Sequence, residues 1–216
     1  MGTTPRRLLA TRDAGWAKKC ARWLGRHGVR PNAVSIAGVV FALGASIAFY
    51  SVPGLSRGGR MVVLIVAAAS VQLRLLCNLL DGMLAVEEGF HTKTGEIYND
   101  LPDRVADVLI LVGAGYSVRE LAYGATLGWT AAMLAVFTAY VRVLGGSLGV
   151  TQHFIGPMAK QHRMFTLTVF TLLAVLETLL GMPPQAIRFG LWIIVAGSIV
   201  TAFRRTRRIG REVAAR

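Results

Sequence analysis

Apolar runs of membrane-spanning length limit what this chain can fold into more than any other feature. Six such runs follow one another, at residues 31–52, 61–85, 97–118, 121–148, 164–182 and 186–203. An α-helix needs about 20 residues to cross the hydrocarbon core of a bilayer, and each run is close to that length. The polar breaks between the runs are too short for an inserted soluble domain. The pattern predicts an all-α integral membrane protein with six transmembrane helices.

The charge of the chain agrees with this fold class. Charged residues make up 16% of the chain and its net charge is +13. A hydrocarbon core cannot hold such an excess, so the Lys and Arg side chains should lie mostly at the ends of the spans. They are concentrated before residue 31 and after residue 203, and the positive-inside bias then places both termini in the cytoplasm. We therefore predict a protein of the cytoplasmic (inner) membrane. No nucleic-acid-binding module accompanies the basic residues, so we predict no nucleic-acid partner.

The basic segment before the first run has the pattern of an amphipathic helix. On a helical wheel its apolar side chains share one side, opposite Lys and Arg; they are Leu9, Trp16, Cys20, Trp23 and Leu24. This predicts an interfacial helix that lies on the cytoplasmic leaflet and binds anionic lipids. Whether it also borders a site stays open. The chain thus divides into an interfacial segment (1–30), a six-span membrane domain (31–203) and a basic cytoplasmic tail (204–216).

Acidic residues cluster at one membrane face. Seven of the eleven Asp and Glu residues lie in positions 81–107. Carboxylates so close to hydrocarbon are costly unless a cation neutralises them, and oxygen ligands of this kind suit Mg²⁺ or Mn²⁺. Two interpretations are open, a metal site or a buried polar seam with Arg74 or Arg104 as counter-charge. We favour the seam for Arg74 with Asp107, and a metal for Asp81 with Asp103.

The spacing of these polar residues resembles the signature of the CDP-alcohol phosphotransferase family, D-x-x-D-G-x-x-A-R, eight residues, then G-x-x-x-D-x-x-x-D. The matching positions here are Asn78, Asp81, Gly82, Ala85, Val86, Gly95, Asn99 and Asp103. The spacing is kept throughout. Asn replaces two of the four acids, and Val86 replaces the arginine.

The resemblance implies transfer of a phosphatidyl group from CDP-diacylglycerol to a polar alcohol, phosphorylated or not, with release of CMP in phospholipid biosynthesis. It implies a Mg²⁺ or Mn²⁺ cofactor and a homodimer. Carried over by position, Asp81 is a metal ligand, Asn78 and Asn99 take other ligand positions, and Asp103 adds the role of general base. Gly82 and Ala85 would line the nucleotide. Since the two Asn residues remove two negative charges, a second metal should bind weakly or not at all.

Basic residues predicted at the same face resemble the cationic pocket that family members use for a phosphorylated alcohol. They are Arg142, Lys160, Arg163 and Arg204. The alternative for each is an anchor at the lipid headgroups. At the start of the first span, Asn32 and Ser35 are similar to a P-N-x-x-S/T pattern of the family and could contact the nucleotide. Asn32 could equally cap the helix.

Two other functions stay open. Acids and Asn in membrane spans could line the path of a cation transporter or channel, although these acids cluster at one face rather than across the bilayer. The two Asn residues and Val86 would also fit a catalytically inactive protein with this fold.

Overall fold

The computed structural model describes residues 15–87, 95–150 and 155–215. These residues form seven helices and no strand, which confirms the all-α prediction. The helices are α1 (Gly15–Arg26), α2 (Pro31–Ser51), α3 (Arg57–Glu87), α4 (Gly95–Ser117), α5 (Gly124–Ser147), α6 (Lys160–Leu180) and α7 (Ala186–Ala214).

Helices α2 to α7 correspond in order to the six apolar runs, but α7 does not end with its run at residue 203. It continues to Ala214, so most of the predicted basic tail belongs to this helix. Five of them, α2, α3, α5, α6 and α7, are long and apolar enough to cross a membrane. The chain is therefore an integral membrane protein. Helix α4 does not reach this hydropathy because charged residues crowd its first half; these are Glu96, Asp100, Asp103, Arg104 and Asp107.

Six helices pack into a closed ring in the order α2, α3, α6, α7, α5, α4 and back to α2. Apolar side chains such as Phe49, Ile110 and Leu191 fill the core between them. Small residues allow the closest approaches, because a Cβ on Gly115 would lie only 2.6 Å from the Cα of Gly128. Gly113 packs in the same way against Ser46. Helix α4 is thus held on both sides by small-residue contacts with α2 and α5.

The short connection between the two helices that carry the signature suggests that they pack side by side along their length, but α3 and α4 approach each other at only a few positions. Helix α2 lies against both α3 and α4, and these two approach each other less closely. They meet instead through long polar side chains, since Arg74 and Asn78 of α3 reach Asp103 of α4. The volume of those side chains keeps the two backbones apart. Pro102 lies inside α4, so residues 99, 103 and 107 share one helix.

Helix α1 packs on α3 at the edge of the ring. Ala17 and Ala21 are fully buried in this contact, whereas Trp16 and Trp23 are 52% and 59% exposed. The packed face is therefore the small alanine face, next to the predicted apolar side. The helical wheel did not predict this packed face, because the prediction was based on the large apolar side chains and not on the alanines. Residues 1–14, with Leu9, lie outside the described residues.

The start of α2 corrects one interpretation of Asn32. The helix begins at Pro31, its N-cap residue is Arg30, and no side chain caps it. Asn32 is therefore inside the first turn and is not a helix cap. Proline at the first helical position sets this start, because its fixed φ suits the helix and its missing N–H needs no partner there.

The end of the ring opposite the signature residues, which we call the far end, uses charged side chains to close helix termini. Arg57 donates from Nε to the Thr178 carbonyl at 2.8 Å and also bonds the Leu179 carbonyl. Arg119 donates to the Tyr50 carbonyl at 3.0 Å. Glu177 accepts from the Ala186 N–H at 2.9 Å, which caps α7. Each of these charges is paired with a backbone dipole.

Candidate functional site

Asp81 lies in the last turns of α3 and is only 5% exposed. Its Oδ2 accepts a 2.7 Å hydrogen bond from Ser35 Oγ of α2. Its Oδ1 is buried and has no hydrogen-bond partner among the described residues. A buried carboxylate oxygen without a partner is costly, and a bound cation removes that cost. Asp81 therefore has the free, fixed oxygen that a metal ligand needs.

Asp103 of α4 is surrounded by donors from other helices. Its Oδ1 accepts from Arg74 Nη2 and from Asn78 Nδ2, each at 3.1 Å. Lys160, the first residue of α6, forms an ion pair with Oδ2, and Arg104 lies 3.8 Å from the same oxygen. Asp103 thus joins α3, α4 and α6 and is neutralised by the chain's own cations.

One turn further along α4, Asp107 forms a buried seam with two arginines. Asp107 is 0% exposed; its Oδ1 lies 3.3 Å from Arg74 Nη2 and its Oδ2 lies 2.9 Å from Arg163 Nη2. Arg163 also donates to the Met158 carbonyl at 3.0 Å and to Thr138 at 3.3 Å. The predicted pairing of Arg74 with Asp107 is confirmed. Arg163 is the member that the sequence did not reveal, because it is 56 positions away in the chain.

A narrow cavity joins the signature residues between α2, α3 and α4. Ser35, Asn78, Asp81 and Asp103 line it, and its volume of about 10 Å³ suits a single water or a smaller ion. Gly38 lies at its wall, where a Cβ would be 3.3 Å from Cys77. The structure therefore brings together three of the four predicted metal positions and Ser35.

The donor set fits one hard cation. Asp81 offers its free Oδ1, and Asn78, which donates to Asp103 through Nδ2, has its carbonyl oxygen left to offer. Among the described residues no group of three or more His, Cys, Asp or Glu side chains could hold a metal. The side chains of Val86 and Asn99 lie outside the described residues. Mg²⁺ commonly takes one or two carboxylates and completes its shell with water and substrate phosphates, so this sparse set is sufficient.

Of the residues predicted to contact the nucleotide or the acceptor, Ser35 lines this cavity and the others do not. Gly82 and Ala85 are half-buried on the last turns of α3. Arg142 of α5 donates through Nη2 to both carboxylate oxygens of Asp100, at 2.9 Å and 2.8 Å. Lys160 forms an ion pair with Asp103. Arg142 and Lys160 therefore both bind acids of α4. Arg163 is 2% exposed and committed to the seam.

Arg204 is placed away from the other predicted acceptor residues. It lines a groove on the outer surface of α7. Its neighbour Arg205 turns inward instead and donates to the Ile155 carbonyl at 2.9 Å and the Thr138 carbonyl at 2.8 Å. Adjacent helical residues point about 100° apart, so only the orientation of α7 decides which arginine is inside.

Sequence comparison finds moderate similarity to two proteins over most of the chain. The chain is 26% identical over 201 residues to a phosphatidylinositol phosphate synthase of Streptomyces avermitilis, covering 90% of this chain and 78% of that protein. It is 27% identical over 187 residues to an uncharacterized protein of Aquifex aeolicus, covering 85% and 83% respectively. No family model matches the chain.

Solved structures of Mycobacterium tuberculosis phosphatidylinositol phosphate synthase (PgsA1) share the fold. The complex with manganese and citrate superposes with a TM-score of 0.73 at 21% identity, over 89% of this chain and 88% of that one. The form with CDP-DAG bound gives a TM-score of 0.73 and 21% identity, over 89% and 92%. The resemblance that the signature spacing indicated is thus supported by two further comparisons, and the chain has the fold of a phosphatidylinositol phosphate synthase along nearly its whole length.

Proposed function

We propose that this protein is a metal-dependent CDP-alcohol phosphatidyltransferase. It transfers a phosphatidyl group from CDP-diacylglycerol to a polar alcohol and releases CMP, in phospholipid biosynthesis. The observation that carries the proposal is the buried, unpartnered Oδ1 of Asp81 at the centre of the signature. The relative named a phosphatidylinositol phosphate synthase and the PgsA1 structures with manganese and with CDP-DAG support it.

Asp81 and Asn78 would hold the Mg²⁺ or Mn²⁺ ion, and Asn99 and Asp103 would take the other two ligand positions. When bound, the ion neutralises the pyrophosphate charge and stabilises the CMP leaving group. Ser35 fixes the orientation of Asp81, because its hydrogen bond occupies Oδ2 and leaves Oδ1 without a partner. Gly82 and Ala85 on the last turns of α3 line the nucleotide, and Asn32 in the first turn of α2 contacts it as well.

Asp103 is the general base. The alcohol oxygen attacks the phosphorus that bears the lipid, the bond from that phosphorus to the CMP oxygen breaks, and the alcohol proton passes to Asp103. In the structure Lys160 covers Oδ2 of Asp103. An anionic acceptor would draw Lys160 away and uncover that oxygen, so binding of the acceptor and activation of the base become linked.

The acceptor site lies around Lys160 and Arg142, which are the basic residues at the rim of the acidic cluster. A phosphorylated alcohol would exchange the ion pair of Arg142 with Asp100 for one with its own phosphate. Arg163 supports this site from below through Asp107, and Arg204 lies on a separate surface. The acceptor is therefore a polar alcohol with a phosphate group as the favoured class.

In the membrane we place all six helices α2 to α7 across the bilayer, with α4 shielded by its place in the ring. Helix α1 lies in the interface with anionic lipids, its exposed Trp16 and Trp23 toward the lipid and its Lys and Arg toward the headgroups. The site faces the cytoplasm at the inner membrane. A homodimer, which the family resemblance implies, belongs to the same proposal.

The deciding experiment is an assay of CMP release from CDP-diacylglycerol by the purified protein in detergent. It is run with Mg²⁺, with Mn²⁺ or with EDTA, against inositol phosphate, glycerol phosphate, inositol and serine. We expect turnover that needs the metal and one of the phosphorylated alcohols. Binding of metal and CDP-diacylglycerol without turnover would favour an inactive protein with this fold. Cation flux into liposomes without turnover would favour a transporter.

A further inference from the structure

The outer surface of α7 carries a groove that is separate from the cavity at Asp81. The groove has a volume of about 580 Å³ and runs between α7 and the segment at Ile155 and Gly156. Gly156 has φ of +122°, and a Cβ there would lie 2.8 Å from Thr201 Oγ1, so glycine lets this segment reach α7. The cavity and the groove share no lining residue. Ser35, Asp81 and Asp103 line the cavity, and none of them borders the groove.

One side of the groove is a stripe of arginines. Arg204, Arg207 and Arg211 are spaced by three and four residues, so they lie along one face of α7. None of the three forms an ion pair with a carboxylate among the described residues, whereas their neighbour Arg208 pairs with Glu212 at 2.5 Å. Like charges at this spacing destabilise a helix. An anion bound along the stripe would remove that repulsion.

The other part of the groove is apolar and continues the membrane-spanning stretch of α7. Ile199 is 53% exposed, Val200 is 42% exposed and Phe203 is 66% exposed. All three line the groove directly before the arginines begin. A free phosphate or a nucleic acid could bind the arginines but has no apolar part to pack against these three side chains. A ligand with an anionic head and an acyl chain matches both parts.

We propose that this groove binds an anionic phospholipid of the surrounding leaflet, with its phosphate on Arg204, Arg207 and Arg211 and an acyl chain along Ile199, Val200 and Phe203. The change from apolar side chains to arginines within a few residues of α7 marks the depth at which lipid phosphates lie. The site is distinct from the one at which we place CDP-diacylglycerol. The proposed lipid site can therefore be tested independently of the proposed transferase activity.

Native mass spectrometry of the purified full-length chain tests the site, with phosphatidylglycerol as the probe and phosphatidylcholine as the uncharged comparison. We expect wild-type protein to bind phosphatidylglycerol in preference to phosphatidylcholine. The triple variant Arg204→Gln, Arg207→Gln and Arg211→Gln should weaken phosphatidylglycerol binding on the order of tenfold or more. The variant Ile199→Ala with Phe203→Ala should weaken it as well, without a change of charge.

A matched control removes three charges from another exposed basic surface, that of α1, by Lys19→Gln, Arg22→Gln and Arg26→Gln. We place α1 at anionic headgroups as well, but its charges attract the leaflet in general and do not hold one lipid, so we expect this control to weaken phosphatidylglycerol binding only about twofold, much less than the groove variant. Equal losses in the two triple variants would show general attraction to a basic protein and overturn the proposal. Displacement of the lipid by inorganic phosphate would point to a free-anion site and also overturn it.

Two further measurements keep the result interpretable. Asp81→Asn should leave phosphatidylglycerol binding unchanged. Loss of phosphatidylglycerol binding in this variant would place the probe at Asp81 instead and contradict the proposal. Circular dichroism and size-exclusion chromatography show whether each variant is folded. Because all substituted side chains of the groove are exposed, we expect native profiles for both groove variants.

Discussion

The two ends of the helix ring use charge in opposite ways. At the far end, Arg57, Arg119 and Glu177 each bind backbone groups of a neighbouring helix terminus. At the site end, Asp103 and Asp107 bind basic side chains, and one oxygen of Asp81 is left without a partner. Arg163 and Arg205 there also bind backbone carbonyls, but the carboxylates of this end have side-chain partners. A backbone dipole is a fixed partner, so the far-end charges hold helices together. A side-chain partner can be exchanged for a ligand, and for this reason we propose that the reaction takes place at the site end.

The largest effect is expected when one acid at each end is changed to its amide. Asp81→Asn removes the charge that faces the cavity, and since a metal supplies several kcal/mol of stabilisation we expect CMP release to fall by at least roughly 1,000-fold. The measurement is CMP release over a Mg²⁺ titration. Glu177→Gln is the matched control at the far end and should keep near wild-type turnover. Normal turnover by the Asp81 variant would remove it from the metal site.

Asp103→Asn separates chemistry from binding. The amide cannot accept a proton, so turnover should fall by about 100-fold or more. Nucleotide binding should be largely preserved, because Asp81 still faces the cavity. Calorimetric titration with CDP-diacylglycerol in detergent measures the binding part. A variant that turns over normally would rule out Asp103 as the base.

Asp107→Asn tests the seam as a structural element. The change leaves Arg74 and Arg163 buried without their shared counter-charge, which should cost about 3 kcal/mol of unfolding free energy. Thermal unfolding in detergent, compared with Arg57→Gln at the far end, gives the measurement. If Asp107→Asn were no less stable than Arg57→Gln, the seam would not be holding α3, α4 and α6 together.

Lys160→Gln examines the acceptor class. The variant loses a cation for the acceptor phosphate, so the KM for a phosphorylated alcohol should rise roughly tenfold. The KM for CDP-diacylglycerol should stay close to wild type. Steady-state kinetics with each substrate varied in turn distinguishes the two. An equal rise for both substrates would place Lys160 at the nucleotide instead.

The smallest expected effect is the loss of a far-end cap. Glu177→Gln weakens the bonds to the Ala186 N–H and should cost about 1 kcal/mol of unfolding free energy. The same thermal unfolding experiment detects it. If the folded Glu177 variant also lost much of its turnover, the two ends would be coupled, and this would contradict the comparison.

Much of the fold could be read from the sequence because its signals are local. A run of apolar residues predicts a span wherever it lies, and α2 to α6 begin and end close to those runs, whereas α7 continues past its run to Ala214. Helical spacing, together with the short connection between the second and third apolar runs, was also enough to pair Arg74 with Asp107. The signals fail where neighbours are distant in the chain. Nothing around Ser35 predicts its bond to Asp81, and nothing around Arg163 predicts its place beside Asp107.

By itself the sequence determined an all-α membrane protein with a basic charge excess and a signature of polar residues at fixed spacing. Hydropathy and helical period depend only on nearby residues, so no tertiary information was needed. Only the tertiary structure decided that α2 stands between α3 and α4, that Arg205 turns inward while Arg204 lines the outer groove, and that Asp81 keeps one oxygen free. These outcomes depend on the rotation of each helix about its axis, which is set by packing against all of its neighbours at once.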